Sequence, residues 1–116
     1  MNREIRVCLL LLALTGAASA ALGQTRKIEV VAHKFAFEPS RIEVKAGEPV
    51  EITFWSQDTK HGFASKELGI EKVVFSKDKP ATVTFTPEKP GTYPFKCARF
   101  CGLGHGKMKG EIVVTP

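Results

Sequence analysis

From Lys27 onward no segment longer than about ten residues carries helical periodicity, and that constrains the fold more than any other feature. Instead the chain falls into short alternating runs rich in β-branched residues. Six of them read as strands: Lys27–Ala32, Arg41–Lys45, Val50–Trp55, Ala81–Thr86, Gly91–Lys96 and Gly110–Val114. In the second run Ile42 and Val44 alternate with charged residues, as a strand with one face in a core requires. Ala46-Gly47-Glu48-Pro49 turns the chain and Pro87 ends another strand. Many short strands in one domain predict an all-β, antiparallel sandwich. Trp55, Phe54, Phe85 and Phe95 are expected in its core. There is no internal repeat, low-complexity run or linker.

The chemistry is concentrated between the last two strands, in Cys97-Ala98-Arg99-Phe100-Cys101-Gly102-Leu103-Gly104-His105-Gly106-Lys107-Met108. Cys97, Cys101, His105 and Met108 are spaced by four, four and three residues, close enough for one loop to turn all four side chains onto a single centre. Thiolate and thioether are soft ligands that suit copper, and imidazole serves copper in either oxidation state. Magnesium and calcium would want carboxylates, which this loop lacks. Taken alone, Cys-x-x-x-Cys in an exported protein would also suit a disulfide. Zinc accepts two Cys and two His, but it has no use for Met108. Met108 alone would read as core filler. The four together, in a glycine-rich loop, favour copper. His61 follows the strand that ends near Trp55, and Gly62 would let the chain turn tightly there. A strand-end position could bring His61 to the same end of the sandwich. His33, between Ala32 and Lys34, is expected at the surface outside the site. Asp58 suits a turn cap holding the His61 loop as well as it suits a solvated loop position.

Residues 1–20 read as a signal peptide. Arg3 and Arg6 make a positive start, Val7–Leu14 is a short apolar core, and Ala18-Ser19-Ala20 offers small residues for cleavage. The apolar run falls short of the roughly 20 residues needed to cross a bilayer. Cys8 does not follow a lipobox and should leave with the signal, so that Cys97 and Cys101 remain as the only thiols of one domain, residues 21–116. The expected product is soluble and exported, periplasmic in a bacterium, with no membrane span once the signal is cleaved.

With His61 and the Cys97–Met108 loop in hand, the chain resembles a cupredoxin. More narrowly, it is similar to the copper-A domain of cytochrome oxidase subunit II and nitrous oxide reductase. The family pattern Cys-x-x-x-Cys-x-x-x-His-x-x-Met is matched at Cys97, Cys101, His105 and Met108. Upstream, Ser-x-Asp-x-x-His followed by an aromatic is found as Ser56-Gln57-Asp58-Thr59-Lys60-His61-Gly62-Phe63. Phe35-Ala36-Phe37-Glu38-Pro39, with Ile42, Val44 and Gly47, is similar to the opening strands of small exported cupredoxins. The resemblance implies a Greek-key sandwich and a binuclear centre of two copper ions per chain. Cys97 and Cys101 would bridge the coppers, and His61 and His105 would each cap one. Met108 would be a weak axial ligand on one side and the backbone carbonyl of Arg99 would serve the other. Arg99 stands where oxidase subunits usually carry a Glu that helps bind a metal at the contact with the catalytic subunit, so no such contact is expected. The subunit's transmembrane hairpin is also missing, which implies a protein other than an ordinary oxidase subunit.

These features predict a non-enzymatic, one-electron carrier, with a copper chaperone or store delivering copper to an oxidase or other cuproenzyme as the alternative. The formal net charge is +5. Lys60, Lys66, Lys96, Arg99, Lys107 and Lys109 lie in or beside the segments that would form the copper end. A redox or copper-accepting protein with an acidic docking face is the expected partner, and no nucleic acid is expected.

Overall fold

The computed structural model describes residues 24–116, so the expected signal peptide lies outside the described residues. Nine strands form among them: β1 (Arg26–His33), β2 (Ala36–Glu38), β3 (Arg41–Lys45), β4 (Val50–Ser56), β5 (His61–Ser65), β6 (Ile70–Phe75), β7 (Ala81–Phe85), β8 (Gly91–Lys96) and β9 (Lys109–Thr115), with a 3-10 turn at His105–Lys107. They build two layers, a four-stranded sheet in the order β2-β1-β4-β7 and a five-stranded sheet in the order β3-β9-β8-β5-β6. This is the expected β-sandwich, and all six segments read from the sequence are strands.

The sheets are mixed rather than wholly antiparallel. β1 runs parallel to β4, from Arg26 opposite Val50 to Ala32 opposite Ser56, and β3 runs parallel to β9. Parallel neighbours cannot be joined by a tight hairpin and need a crossover. The chain supplies it by changing layer: β2 and β3 lie in different sheets, and so do β3 and β4. At the second change Gly47 takes a φ of 82°, a conformation that suits glycine.

Period-2 alternation decides what is buried. Ile42 and Val44 of β3 face inward, as do Val50, Ile52 and Phe54 of β4. Trp55 is the correction to the expected core: with Phe54 inward its neighbour must point outward, and Trp55 is 41 % exposed. Phe85 is only partly buried against the core. Between the layers Phe54 lies 4.4 Å from Phe63 and 5.4 Å from Phe75, centroid to centroid, and Phe37 meets Phe95 edge-on at 5.1 Å. Burying each such ring stabilises the fold by about 1.5–3 kcal/mol. These rings fill the middle of the sandwich and leave its end to polar and sulfur-bearing side chains.

Candidate metal centre

The β8–β9 hairpin brings the two ends of the sulfur loop together. Lys96 pairs with Lys109, and the Cys97 N–H donates to the Met108 carbonyl at 2.9 Å. Cys97 and Met108 therefore start and finish a loop whose base is fixed by the ladder. Within it, His105 N–H donates to the Gly102 carbonyl at 3.1 Å and Met108 N–H to the His105 carbonyl at 3.1 Å. This tight turn swings His105 and Met108 back toward Cys101.

His61 arrives from the other side, and here the sequence expectation needs correcting. It does not sit in a loop: it is the first residue of β5, paired with Phe75 of β6, and is fully buried. Gly62 does not serve a turn either. It lies buried within β5, where a Cβ would stand 2.9 Å from the Arg99 amide nitrogen and 3.1 Å from the Ala98 carbonyl carbon. Its missing side chain lets the Ala98–Arg99 backbone pass close over the strand. In that position the Gly62 N–H points at the Cys97 sulfur, 3.4 Å away.

The side chains converge at this end of the sandwich. His61 Nδ1 lies 4.0 Å from Cys97 Sγ, which lies 3.8 Å from Cys101 Sγ. Cys101 Sγ is 3.5 Å from His105 Nδ1 and 3.8 Å from Met108 Sδ. The Arg99 carbonyl oxygen is 3.1 Å from Cys97 Sγ. The donors thus divide into two ends, His61 with the Arg99 carbonyl beside Cys97, and His105 with Met108 beside Cys101. Ligand atoms of His61, Cys97 and Cys101 all fall within 4.8 Å of one another. Both cysteines are free thiols, so the loop is not closed by a disulfide. Burial, reinforced by the adjacent Cys97 thiol, pushes the Cys101 thiol up to about 11.

Behind His61 stands Asp58, whose role the sequence left open. Its Oδ1 accepts from His61 Nε2–H at 2.7 Å and from Thr59 N–H at 2.6 Å, and its Oδ2 accepts from Lys34 N–H at 2.8 Å. Burial alone would raise this carboxyl, but the Lys34 N–H, the His61 imidazole and the Thr59 N–H outweigh it and hold it at about 2. An acceptor on Nε2 leaves the Nδ1 lone pair of His61 directed at the sulfurs. The Asp-x-x-His spacing in the sequence was the signal for this pair. His33 stays outside the cluster, with its Nε2 3.2 Å from Glu38 Oε1.

This donor set suits a soft metal. Four of its members, His61, Cys97, Cys101 and Met108, are buried, and the carboxylate that touches His61, Asp58, already accepts three N–H groups. A tetrahedral zinc site of two Cys and two His would leave the buried Met108 sulfur and the Arg99 carbonyl beside the cluster without a role.

The fold and cluster agree with what the chain is similar to. Residues 6–114 match the cupredoxin-like domain family. The chain belongs to that family. It is 37 % identical over 87 residues to cytochrome c oxidase subunit 2 of Thermus thermophilus, covering 75 % of this chain and 64 % of that protein. It is 31 % identical over 85 residues to nitrous-oxide reductase of Stutzerimonas stutzeri, covering 70 % of this chain but 13 % of the reductase. The cupredoxin therefore corresponds to one part of these larger relatives. Among solved structures, the Cu(I)-bound metal-binding domain of the Cu(I)-exporting P-type ATPase of Streptococcus pneumoniae superposes with a TM-score of 0.63. It is 27 % identical to this chain, and the match covers 79 % of this chain and 87 % of that domain. Among the described residues no helix is long and apolar enough to cross a membrane.

Proposed function

We propose that this cupredoxin is an exported one-electron carrier with a binuclear, copper-A type centre, in which residues 1–20 act as a signal peptide and residues 21–116 form the working domain. The observation that carries the reading is the division of donors into two ends around a pair of thiols. A mononuclear site would need one thiolate, and here a second lies 3.8 Å away with its own imidazole and thioether. Cys97 and Cys101 would bridge, His61 and His105 would cap, and Met108 and the Arg99 carbonyl would complete the two ends. Two coppers so held would share one oxidising equivalent and exchange single electrons with little change in bond lengths.

The residues around the site do the rest. Asp58 holds His61 in one orientation and tautomer. Phe75, stacked on Phe54, lies with its ring centroid 6.2 Å from that of His61 and gives this imidazole an apolar backing. His105 is only half-buried, and its ring lies 5.6 Å from exposed Phe100, so it forms the short path from the centre to a partner. Lys60, Lys66, Lys96, Lys107 and Lys109 are exposed and Arg99 half-buried, which supports a basic face for an acidic redox partner.

Copper stoichiometry with electron paramagnetic resonance on the reconstituted protein tests the assignment. Two coppers per chain with hyperfine coupling to both nuclei are expected. One tightly held copper, or coupling to a single nucleus, refutes the binuclear centre.

A second reading, a copper chaperone or store, is favoured by the likeness to the Cu(I)-bound domain of the exporting ATPase. Ready transfer of Cu(I) to an acceptor would support it. Repeated redox cycling without copper loss would support the carrier.

A further inference from the structure

One short turn touches both halves of the ligand set. Between β1 and β2 the chain passes through Lys34 and Phe35. The Lys34 N–H donates to Asp58 Oδ2 at 2.8 Å, and the other oxygen of that carboxylate accepts from His61 Nε2–H at 2.7 Å. The next residue, Phe35, lays its ring against the opposite half. A Cβ at Gly102 would stand 3.0 Å from the Phe35 ring, and one at Gly104 would collide with it. Gly102 follows Cys101 and Gly104 precedes His105, so the ring rests on the backbone that carries both of these ligands. Gly102 has a φ of 137° and its carbonyl accepts the His105 N–H, so the turn under the ring fixes where His105 points.

We infer that the Lys34–Phe35 turn is a positioning clasp: its amide anchors the Asp58 carboxylate that orients His61, and its aromatic ring seats the Gly102–Gly104 backbone that presents Cys101 and His105. The two ligand groups come from segments far apart in sequence, and this turn contacts both, adding to the direct packing of β5 on β8 and on the Ala98–Arg99 backbone. The clasp holds the thiols and imidazoles together in the metal-free chain. Neither Lys34 nor Phe35 supplies a ligand atom. The inference rests on the proposed copper site only for the identity of the ligands.

The test uses the full chain in reduced, metal-free form and Cu(I) itself as the probe, in competition with a chelator of known affinity. Phe35→Ala and Asp58→Asn are each expected to weaken Cu(I) binding about 10–100-fold, the usual effect of losing an outer partner of a ligand. Val83→Ala, in β7 opposite Ile52, is the control for lost stability and should leave the affinity unchanged. Amide hydrogen exchange at His105 and Met108 should quicken in metal-free Phe35→Ala and not in Val83→Ala. Ring-nitrogen resonances should show His61 protonated at Nε2 in the wild type, with that preference lost in Asp58→Asn. Should Phe35→Ala fail to fold, Phe35→Leu replaces it, because leucine keeps apolar volume while removing the flat face that fits two glycines. Wild-type Cu(I) affinity and wild-type loop exchange in a folded Phe35 variant overturn the clasp. Failure of the wild type to take up Cu(I) would instead sink the copper reading, with the exchange and tautomer measurements still deciding the clasp.

Discussion

The same substitution at two glycines near the site should have opposite consequences. Gly62 and Gly106 both have backbone angles that alanine can adopt, so only the space around the added methyl differs. At Gly106 nothing lies within 4 Å of the new Cβ. Gly106→Ala should then stabilise the fold by about 0.4–1 kcal/mol, because alanine restricts the unfolded chain more than glycine does. At Gly62 the methyl would stand 2.9 Å from Arg99 N and 3.1 Å from Ala98 C, and both are backbone atoms that cannot rotate away. Forcing an extra carbon into packed space costs about 1–3 kcal/mol, which the gain from the unfolded chain reduces but does not cancel. Mid-range values of about 2 and about 0.7 kcal/mol leave a net loss of about 1.3 kcal/mol for Gly62→Ala, worth roughly 5–10 °C in Tm for a domain of this size. The damage should not stop at stability. Pushing Ala98–Arg99 outward moves the Arg99 carbonyl from its place 3.1 Å from Cys97 Sγ and lengthens the Gly62 N–H to sulfur contact of 3.4 Å. Thermal unfolding of the reduced, metal-free protein followed by circular dichroism gives the first quantity, and the copper spectrum gives the second. A Gly62→Ala protein that melts with Gly106→Ala and loads copper like the wild type would refute the close-approach argument.

Three further outcomes follow from the ligand geometry and the charge distribution. Cys97→Ser or Cys101→Ser should each abolish electron delocalisation in the loaded protein, and retention of coupling to both copper nuclei in either variant would rule out bridging by both sulfurs. Met108→Leu should keep copper and shift its reduction potential, because an axial thioether is a weak tuning ligand, whereas His61→Ala should loosen or remodel the site. Equal copper loss in the two would contradict those roles. Electron transfer to an acidic cytochrome should slow as salt shortens the screening length to about 8 Å, and charge reversal at Lys107 and Lys109 should mimic that loss. Indifference to ionic strength, or a faster reaction with a basic cytochrome at low salt, would deprive the lysine face of a steering role.

The sequence by itself determined the elements whose pattern is local. Alternation at Ile42 and Val44, or at Ile52 and Phe54, can be read without a neighbour because the strand period of two is a property of the backbone. The spacing of Cys97, Cys101, His105 and Met108 was legible for the same reason, since one short loop carries all four. What lay beyond the sequence depends on elements that meet only in three dimensions. β5 is His61-Gly62-Phe63-Ala64-Ser65, with no alternation, because all but Ala64 are buried: it is enclosed by β6 and touches β8 at Ala64 opposite Lys96. Nothing local could make it a strand, so His61 read as a loop residue and Gly62 as a turn. β2 is too short, at three residues, for a period to show. Trp55 read as core because its composition is apolar, although the alternation of Val50, Ile52 and Phe54 already turned it to the other face of β4. Asp58 could have capped a turn or faced solvent. The choice was made by Lys34, 24 residues away, whose amide occupies the second carboxylate oxygen. Composition and period are written along the chain. The partners of a buried hydrogen bond, and the atoms a missing Cβ makes room for, exist only once the two sheets have closed.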